Sequence, residues 1–413
     1  MPTTPIATSI VEKLASKGHT AYFAGGWVRD FLMNRPSDDI DIATSASVEE
    51  IQNLFPKTIP VGISFGIVVV VEQGHQFEVA TFRQDQGYID GRRPSQISCA
   101  SPEEDAMRRD FTINGMFYDP INKKLYDYVG GQKDLQKKVI RAIGNPHDRF
   151  LEDRLRMMRA VRYSTRFNFP IEPDTLQAIL YHASSLLPAV AHERIWQEFK
   201  KMSQFEHFDT GLVTLHKLNL LPTIFPALQN LPIEEIQRRV SCIEHYPKDA
   251  PTIAELMELF PDYSLDALMQ LCEYLKLSNQ EKDFVRHLHY IKNLLLQHQD
   301  RLASLEPIDW AKLYAHPHSE VCLKIISSRL PIEQRELFLD FHFKKRQLLE
   351  QAILRIQSQT PIVKAEDLIK LGVKPGIKMG KLLKEAERIS VNQGEEIREK
   401  IILELKKTNL WNE

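Results

Sequence analysis

The sequence predicts an α+β protein, with a small mixed α/β domain first and an all-α remainder after it. Two observations carry this reading. Up to about residue 140, short β-like runs alternate with short helical ones. From Asp148 onward helical periodicity dominates, punctuated by Pro170, Pro173, Pro188, Pro222, Pro226 and Pro232. A third observation is length: 413 residues exceed one ordinary domain.

Taken in order, His19 to Ala24 is a short apolar strand that Gly25-Gly26 breaks, and Trp27 to Met33 reads as a short helix. Ile40 to Ala43 is strand-like. Ser47 opens a helix to Phe55, with Glu50 three residues on completing a capping box. Gly66 to Glu72 and Gln76 to Phe82 are β-rich runs joined as a hairpin through Gln73-Gly74-His75. Met116 to Tyr118 and Lys124 to Tyr128 form a second pair around Asp119-Pro120 and Asn122. Trp196 and Phe199 read as core of the helical part.

Hydrophobic residues make up 43% of the chain and charged residues 26%, a globular balance. A formal net charge of −2 argues against strong unspecific RNA binding while leaving room for a local basic patch. Cys99, Cys242, Cys272 and Cys322 show neither metal-ligand spacing nor a disulfide framework, so a reducing cytoplasm is the simplest compartment. Met1 to Pro5 has no basic start or apolar run, and no stretch of about 18 apolar residues suggests a membrane span.

The strongest chemical signal is Ala24-Gly25-Gly26-Trp27-Val28-Arg29-Asp30 followed closely by Asp38-Asp39-Ile40-Asp41. Carboxylates at i and i+2 on a strand share a face, which suits Asp39 and Asp41. Two like charges so close call for a divalent cation, and Mg²⁺ takes one or two carboxylates with phosphates and waters. Glu78, in the apolar run Phe77-Glu78-Val79-Ala80, is the candidate third carboxylate. The backbone N–H groups of Gly25 and Gly26 suit a triphosphate, with Arg29 in reach of it. A Gly-Gly turn or an acidic pair alone is more often plain loop chemistry; their occurrence together in one small domain favours a site.

These residues resemble the polymerase-β nucleotidyltransferase superfamily, and more narrowly the class II CCA tRNA nucleotidyltransferases and bacterial poly(A) polymerases. Gly25 to Asp30 with Asp39 to Thr44 resembles the metal-binding motif. Arg108-Arg109-Asp110-Phe111-Thr112-Ile113-Asn114 resembles the ribose-recognition motif, Glu152-Asp153-Arg154-Leu155-Arg156 the base-selecting motif, and Glu193-Arg194-Ile195 a later helix motif. The resemblance implies a nucleotidyltransferase head at 1–140, a helical neck at 141–204, a body at 205–345 and a tRNA-binding tail at 346–413. It also implies two Mg²⁺ ions, with CTP and ATP as substrates and tRNA as partner.

In that frame Asp110 accepts a hydrogen bond from a ribose 2′-OH and Arg109 binds phosphate, with Asn114 in the same motif. Read without the resemblance, this segment is a capped helix with a solvated ion pair. Asp153 and Arg156, three apart on a helical stretch, share a face. An Asp accepts from the exocyclic amine of cytosine or adenine and an Arg donates to their ring acceptors. Guanine and uracil set a carbonyl against the Asp, which costs roughly 1–3 kcal/mol. The bland meaning of the spacing is a surface ion pair. The neck is basic: Arg149 and Arg159 are expected at the triphosphate or RNA end and Arg162 is grouped with them, while some neck arginines pair internally, for instance with Glu193. In the tail, six lysines from Lys364 to Lys384 flank Pro375-Gly376, and Lys374, Lys378 and Lys381 are the candidate RNA contacts.

Arg83 to Ile97 corresponds to the family's flexible loop, whose presence implies capacity for the terminal A. Full CCA addition therefore ranks first, partial CC or A addition second and poly(A) synthesis third. An RNA-binding module with an inactive site is the non-enzymatic alternative, opposed by the intact acidic set. Oligomeric state is left open.

Overall fold

The computed structural model describes residues 3–35, 37–61, 66–88, 94–297 and 305–412. Two compact units divide it, Met1–Arg238 and Arg239–Glu413. The first carries a mixed sheet followed by helices, and the second, among the described residues, is helical throughout.

The sheet of the first unit has the order β3-β4-β5-β2-β1-β8-β9. Its strands are β1 (Ala21–Ala24), β2 (Asp41–Thr44), β3 (Thr58–Ile59), β4 (Ile67–Glu72), β5 (His75–Thr81), β8 (Met116–Asp119) and β9 (Lys124–Asp127). Only β2 and β5 pair in parallel, Ile42 beside Val79; the other neighbours are antiparallel. The β4–β5 turn is two residues long, Gln73 (φ 49°) and Gly74 (φ 81°). Positive φ at both places matches the twist of the hairpin and explains the glycine.

One sheet face is covered by α1 (Thr3–Ala15) and α3 (Val48–Leu54). Ile6, Ile10, Leu14 and Ile51 pack there on Phe23, Ile42, Val68, Val70, Phe77 and Val79. Ser47 and Glu50 close the expected capping box on α3. The other face bears Ala24, Ala43, Phe82 and Phe117 against Ala106 of α4 (Pro102–Met107). Strand alternation puts Asp41 and Glu78 on this second face, because their neighbours Ile42 and Val79 point into the first core.

Two expectations are corrected. Asp39 is not on a strand: β2 begins at Asp41, and Asp39 lies in the exposed approach to it. The segment read as a flexible loop instead pairs its backbone as β6 (Arg83–Tyr88) and β7 (Pro94–Cys99), a separate two-stranded sheet. Its polar sequence gives no hydrophobic alternation, so periodicity has nothing to register. The intervening 89–93 lie outside the described residues.

Helix α2 (Gly26–Leu32) follows β1, and α5 (Gly131–Gln136) packs on the 3₁₀ turn Thr112–Asn114. The approach there is close: a Cβ at Gly131 would lie 2.3 Å from the Thr112 carbonyl oxygen and 2.8 Å from Met116 Cγ. Gly131→Ala is expected to lower stability by about 1–3 kcal/mol, read in denaturant unfolding. An unchanged midpoint would contradict this packing.

The helices that complete the site are α6 (Pro146–Glu152), α7 (Leu155–Phe167), α8 (Pro173–His182), α9 (Leu186–Ala189) and α10 (His192–Ser203). Helix α10 buries Ile195, Trp196, Phe199 and Met202, an i, i+1, i+4, i+7 face that sets its rotation. Phe208–Lys217 and Leu220–Ile224 continue the helical part of the first unit.

In the second unit, the C-terminal helices Ala365–Lys370, Ile377–Gln393 and Arg398–Leu405 share a core of Leu368, Leu382, Ala386, Ile389, Ile401 and Leu405. Elsewhere in it Glu258, 1% exposed, accepts from Tyr246 Oη, Arg329 and Lys292 Nζ, the last at 2.7 Å. No described helix is long and apolar enough to cross a membrane.

Candidate functional site

Most of the candidate residues converge on one cavity of about 460 Å³ in the first unit. Gly25, Gly26, Asp41, Arg109, Asp110, Asn114, Asp153, Arg156 and Arg159 line it. Arg83, Arg108 and Tyr163 line it too. Arg108 was readable in the Arg108-Arg109-Asp110 run, and Tyr163 lies one helical turn after Arg159 on α7. Arg83 is marked in the sequence only as the start of the loop segment, and it arrives at the cavity as the first residue of β6.

The acidic wall stands at the start of β2. Burial, then the charges of Asp39 and Glu78, push the Asp41 carboxyl up to about 6, with Arg109 opposing them. The charges of Asp39 and Glu78 thus reach Asp41, although both residues are exposed and outside the cavity lining. Among the described residues no three His, Cys, Asp or Glu side chains close on an ion by themselves.

Gly25 lies between the two walls. Its φ of +66° favours glycine, and a Cβ there would lie 3.3 Å from Arg109 Nη1 and 3.5 Å from Asp41 Oδ2. Arg109 is aimed by Asp105, which is 1% exposed. Asp105 Oδ2 accepts from Arg109 Nε (3.1 Å) and Nη2 (2.9 Å), while Oδ1 accepts from Arg108 Nε (2.9 Å) and Nη2 (2.7 Å). Burial alone would raise the Asp105 carboxyl, but Arg109 and Arg108 hold it below the usual range. One buried carboxylate thus positions two cavity arginines.

Asp110 is more heavily engaged than the sequence suggests. Its Oδ1 accepts from Phe111 N (2.8 Å) and Asn114 Nδ2 (3.1 Å), and its Oδ2 accepts from Arg159 Nε (2.8 Å). Burial opposes ionisation, yet Arg159 and Asn114 hold the carboxyl down at about 2. Asn114 Oδ1 in turn accepts from Arg29 Nη1 at 2.5 Å.

Arg29 does not reach the cavity, correcting the expectation of a triphosphate contact. It is 2% exposed, forks onto Asp30 at 2.9 and 3.0 Å, and stacks over Phe167 at 4.6 Å. Arg166 joins the same Asp30 at 3.0 Å, so Arg29 ties α2 to α7. Arg162 is likewise withdrawn: it is buried against Glu198 (2.6 Å), which, rather than Glu193, is its internal acid. Arg149 donates to the Met107 carbonyl (3.1 Å) and pairs with Glu152 (2.7 Å), beside the cavity rather than in its lining.

Asp153 and Arg156 both face the cavity, but not from one continuous helix. Asp153 is extended (φ −146°, ψ 104°) between α6 and α7, and its Oδ1 accepts from Leu155 N at 3.1 Å. Nor do the two form the surface ion pair that their spacing suggests. Asp153 pairs with Arg194 (2.8 Å) and Arg156 with Glu152 (2.5 Å). In the second unit Lys374, Lys378 and Lys381 are exposed, with Lys378 Nζ donating to the Trp411 carbonyl at 2.9 Å.

The Asp41 carboxylate on one wall and guanidinium groups suited to phosphate on the other are what a nucleotidyltransferase site requires. Residues 21–141 match the family model described as the poly A polymerase head domain, and 168–231 the one described as a probable RNA and SrmB-binding site of polymerase A. The chain is 35% identical over 329 residues to a CCA-adding enzyme of Staphylococcus saprophyticus, covering 73% of this chain and 80% of that one. It is 47% identical over 197 residues to a CCA-adding enzyme of Pediococcus pentosaceus, about half of each chain (48% and 49%). The crystal structure of the Bacillus stearothermophilus CCA-adding enzyme in complex with CTP matches with a TM-score of 0.81 and 28% identity, over 100% of this chain and 99% of that one. The chain belongs to the CCA-adding enzyme family.

Proposed function

We propose that this protein adds CCA to the 3′ end of tRNA from CTP and ATP, without a nucleic-acid template, in the cytoplasm. The observation that carries the reading is the cavity itself, where Asp41 faces Arg109 across Gly25 while Asp153 and Arg156 offer an acceptor and a donor for a base. We keep the division into head, neck, body and tail as the functional one, with Lys374, Lys378 and Lys381 as candidate tRNA contacts.

In this reading the RNA 3′-oxygen attacks the α-phosphorus of the nucleotide and pyrophosphate leaves. Asp39 and Asp41, with Glu78 as the third carboxylate, would hold two Mg²⁺ ions, whose chemistry when bound would be to lower the pKa of the attacking hydroxyl and offset phosphate charge. The Gly25 and Gly26 backbone admits the triphosphate, and Arg109, fixed by Asp105, meets its charge. Asp110 is preset for a ribose 2′-OH by Asn114, and Arg159 must yield or share the lone pairs of the Asp110 carboxylate when the sugar enters. Arg149 stands beside this path. Asp153 accepts the exocyclic amine that cytosine and adenine share, and Arg156 donates to their ring acceptors.

Gly25→Ala is expected to cost about 1–3 kcal/mol of stability through strained φ. It is also expected to lower kcat/KM for CTP about tenfold or more by distorting the strained backbone at the triphosphate site and shifting Arg109 Nη1, 3.3 Å from the added Cβ. Steady-state kinetics beside thermal unfolding check both; wild-type kinetics would contradict the close approach.

The reading is tested by supplying each of the four nucleotides singly, with Mg²⁺, to a tRNA transcript lacking CCA and to an unrelated RNA. Incorporation of CTP and then ATP on the tRNA, with GTP and UTP refused, supports it. Arrest after CC, or ATP use only on a CC end, makes the protein a partial adder. An A ladder on unrelated RNA makes it a poly(A) polymerase, and RNA binding without incorporation leaves a binding module.

A further inference from the structure

Opposite charges three residues apart beside a helix start should neutralise each other, and a base-reading pair that did so would read nothing. Here each has a partner of its own. Asp153 Oδ2 accepts from Arg194 Nη2 at 2.8 Å, across 41 residues of chain, from the first turn of α10. Arg156 Nη1 donates to Glu152 Oε2 (2.5 Å) and the Arg149 carbonyl (3.1 Å), and its Nη2 to the Arg108 carbonyl (3.2 Å). Both side chains nevertheless remain in the cavity lining, whereas Arg194 does not line it.

We propose that Arg194 is a specificity-determining positioning residue, which holds the Asp153 carboxylate away from Arg156 so that the two read a nucleobase rather than each other. This rests on the base-reading roles given to Asp153 and Arg156 above. A carboxylate offers about four acceptor positions. Leu155 N and Arg194 take two of them and fix its plane, leaving the others for the exocyclic amine. The extended backbone at Asp153 supplies the turn that makes this possible, and Glu152 is the matching restraint on Arg156. Without Arg194 the carboxylate is free to swing to Arg156, three residues along the chain, whereas the adjacent Arg154 is held by Ser185 Oγ and the Leu151 carbonyl. The site then loses its acceptor for the amine and its penalty against a carbonyl together.

The test is the ratio of kcat/KM for CTP to that for UTP, measured with the full-length chain and one tRNA transcript. Arg194→Gln is expected to lower the ratio at least about tenfold. Asp153→Ala is expected to lower it as far, and the double variant no further. Arg194→Lys, which keeps the charge and loses the fork, is expected to fall between wild type and glutamine. A purely structural role lowers both nucleotides alike and leaves the ratio unchanged, and that result overturns the proposal. Should the glutamine variant not fold at the assay temperature, the lysine variant decides: a ratio about threefold or more below wild type supports it, and an unchanged ratio overturns it. If Asp153→Ala itself leaves the ratio unchanged, the base-reading role fails first and takes this proposal with it, an outcome distinct from failure of Arg194 alone.

Discussion

Asp41→Ala is expected to reduce nucleotide incorporation about 10³-fold or more while tRNA binding stays within about twofold of wild type. The size follows from what Asp41 faces. It opens β2 on the sheet face that bears Glu78, and Arg109 stands opposite it across Gly25. Removing it also relieves the burial of a charge and the repulsion from Asp39 and Glu78 that together push its carboxyl up to about 6. The local fold therefore loses a repulsion rather than a support, and the unfolding midpoint should not fall. Single-turnover incorporation and gel-shift titration on the same samples separate the effects. Activity within about tenfold of wild type would remove Asp41 from the reaction.

Glu258→Gln is expected to cost about 3–5 kcal/mol of stability in the second unit. The carboxylate is fully enclosed and answers both Lys292 and Arg329, so the amide leaves two cations without their counter-charge. Burial opposes its ionisation, but Lys292 and Arg329 outweigh burial and hold the carboxyl near 2, against an ordinary value of 4.5. A depressed carboxyl stabilises the fold above its unfolded value, and that contribution is lost as pH falls from about 4.5 through about 2. Glu255 runs the other way. Its Oε2 has no hydrogen-bond partner among the described residues, and burial pushes the carboxyl up to about 9. It costs stability increasingly as pH rises from about 4.5 toward 9, so Glu255→Gln should stabilise at pH 7 by up to about 3 kcal/mol. Denaturant unfolding of the two variants across pH 3–8 checks both signs. Like-signed shifts in the two variants would contradict the assignment.

What the sequence made legible was local. The Gln73-Gly74 hairpin, the Ser47 capping box and the rotation of α10 follow from turn chemistry and periodicity within a few residues. Asp41 was legible from its acidic neighbourhood, whereas Arg109, Asp110, Asp153 and Arg156 were legible only through the resemblance of their motifs, since their spacing alone suggests ordinary ion pairs. What was hidden depends on partners distant in the chain. Arg29 looks free in sequence, yet Asn114 and the Arg166-bound Asp30 consume it. The break at Asp153 interrupts residues that individually favour helix, and its carboxylate bonds to Arg194 on another helix. Arg162 has Glu193 and Glu198 within comparable reach in sequence, and only packing selects Glu198. Pairings of this kind carry no local signal.

The central claim is that side chains of one cavity, with no nucleic-acid template, dictate the order C, C, A. It is met most directly by sequencing the 3′ ends made from three tRNA transcripts, ending at the discriminator base, at C and at CC, with all four nucleotides and Mg²⁺ present. The same CCA terminus is expected on all three, with no product from the Asp41→Ala variant. Runs of A beyond that terminus, insertion of G or U, or unextended ends with tRNA still bound would contradict it.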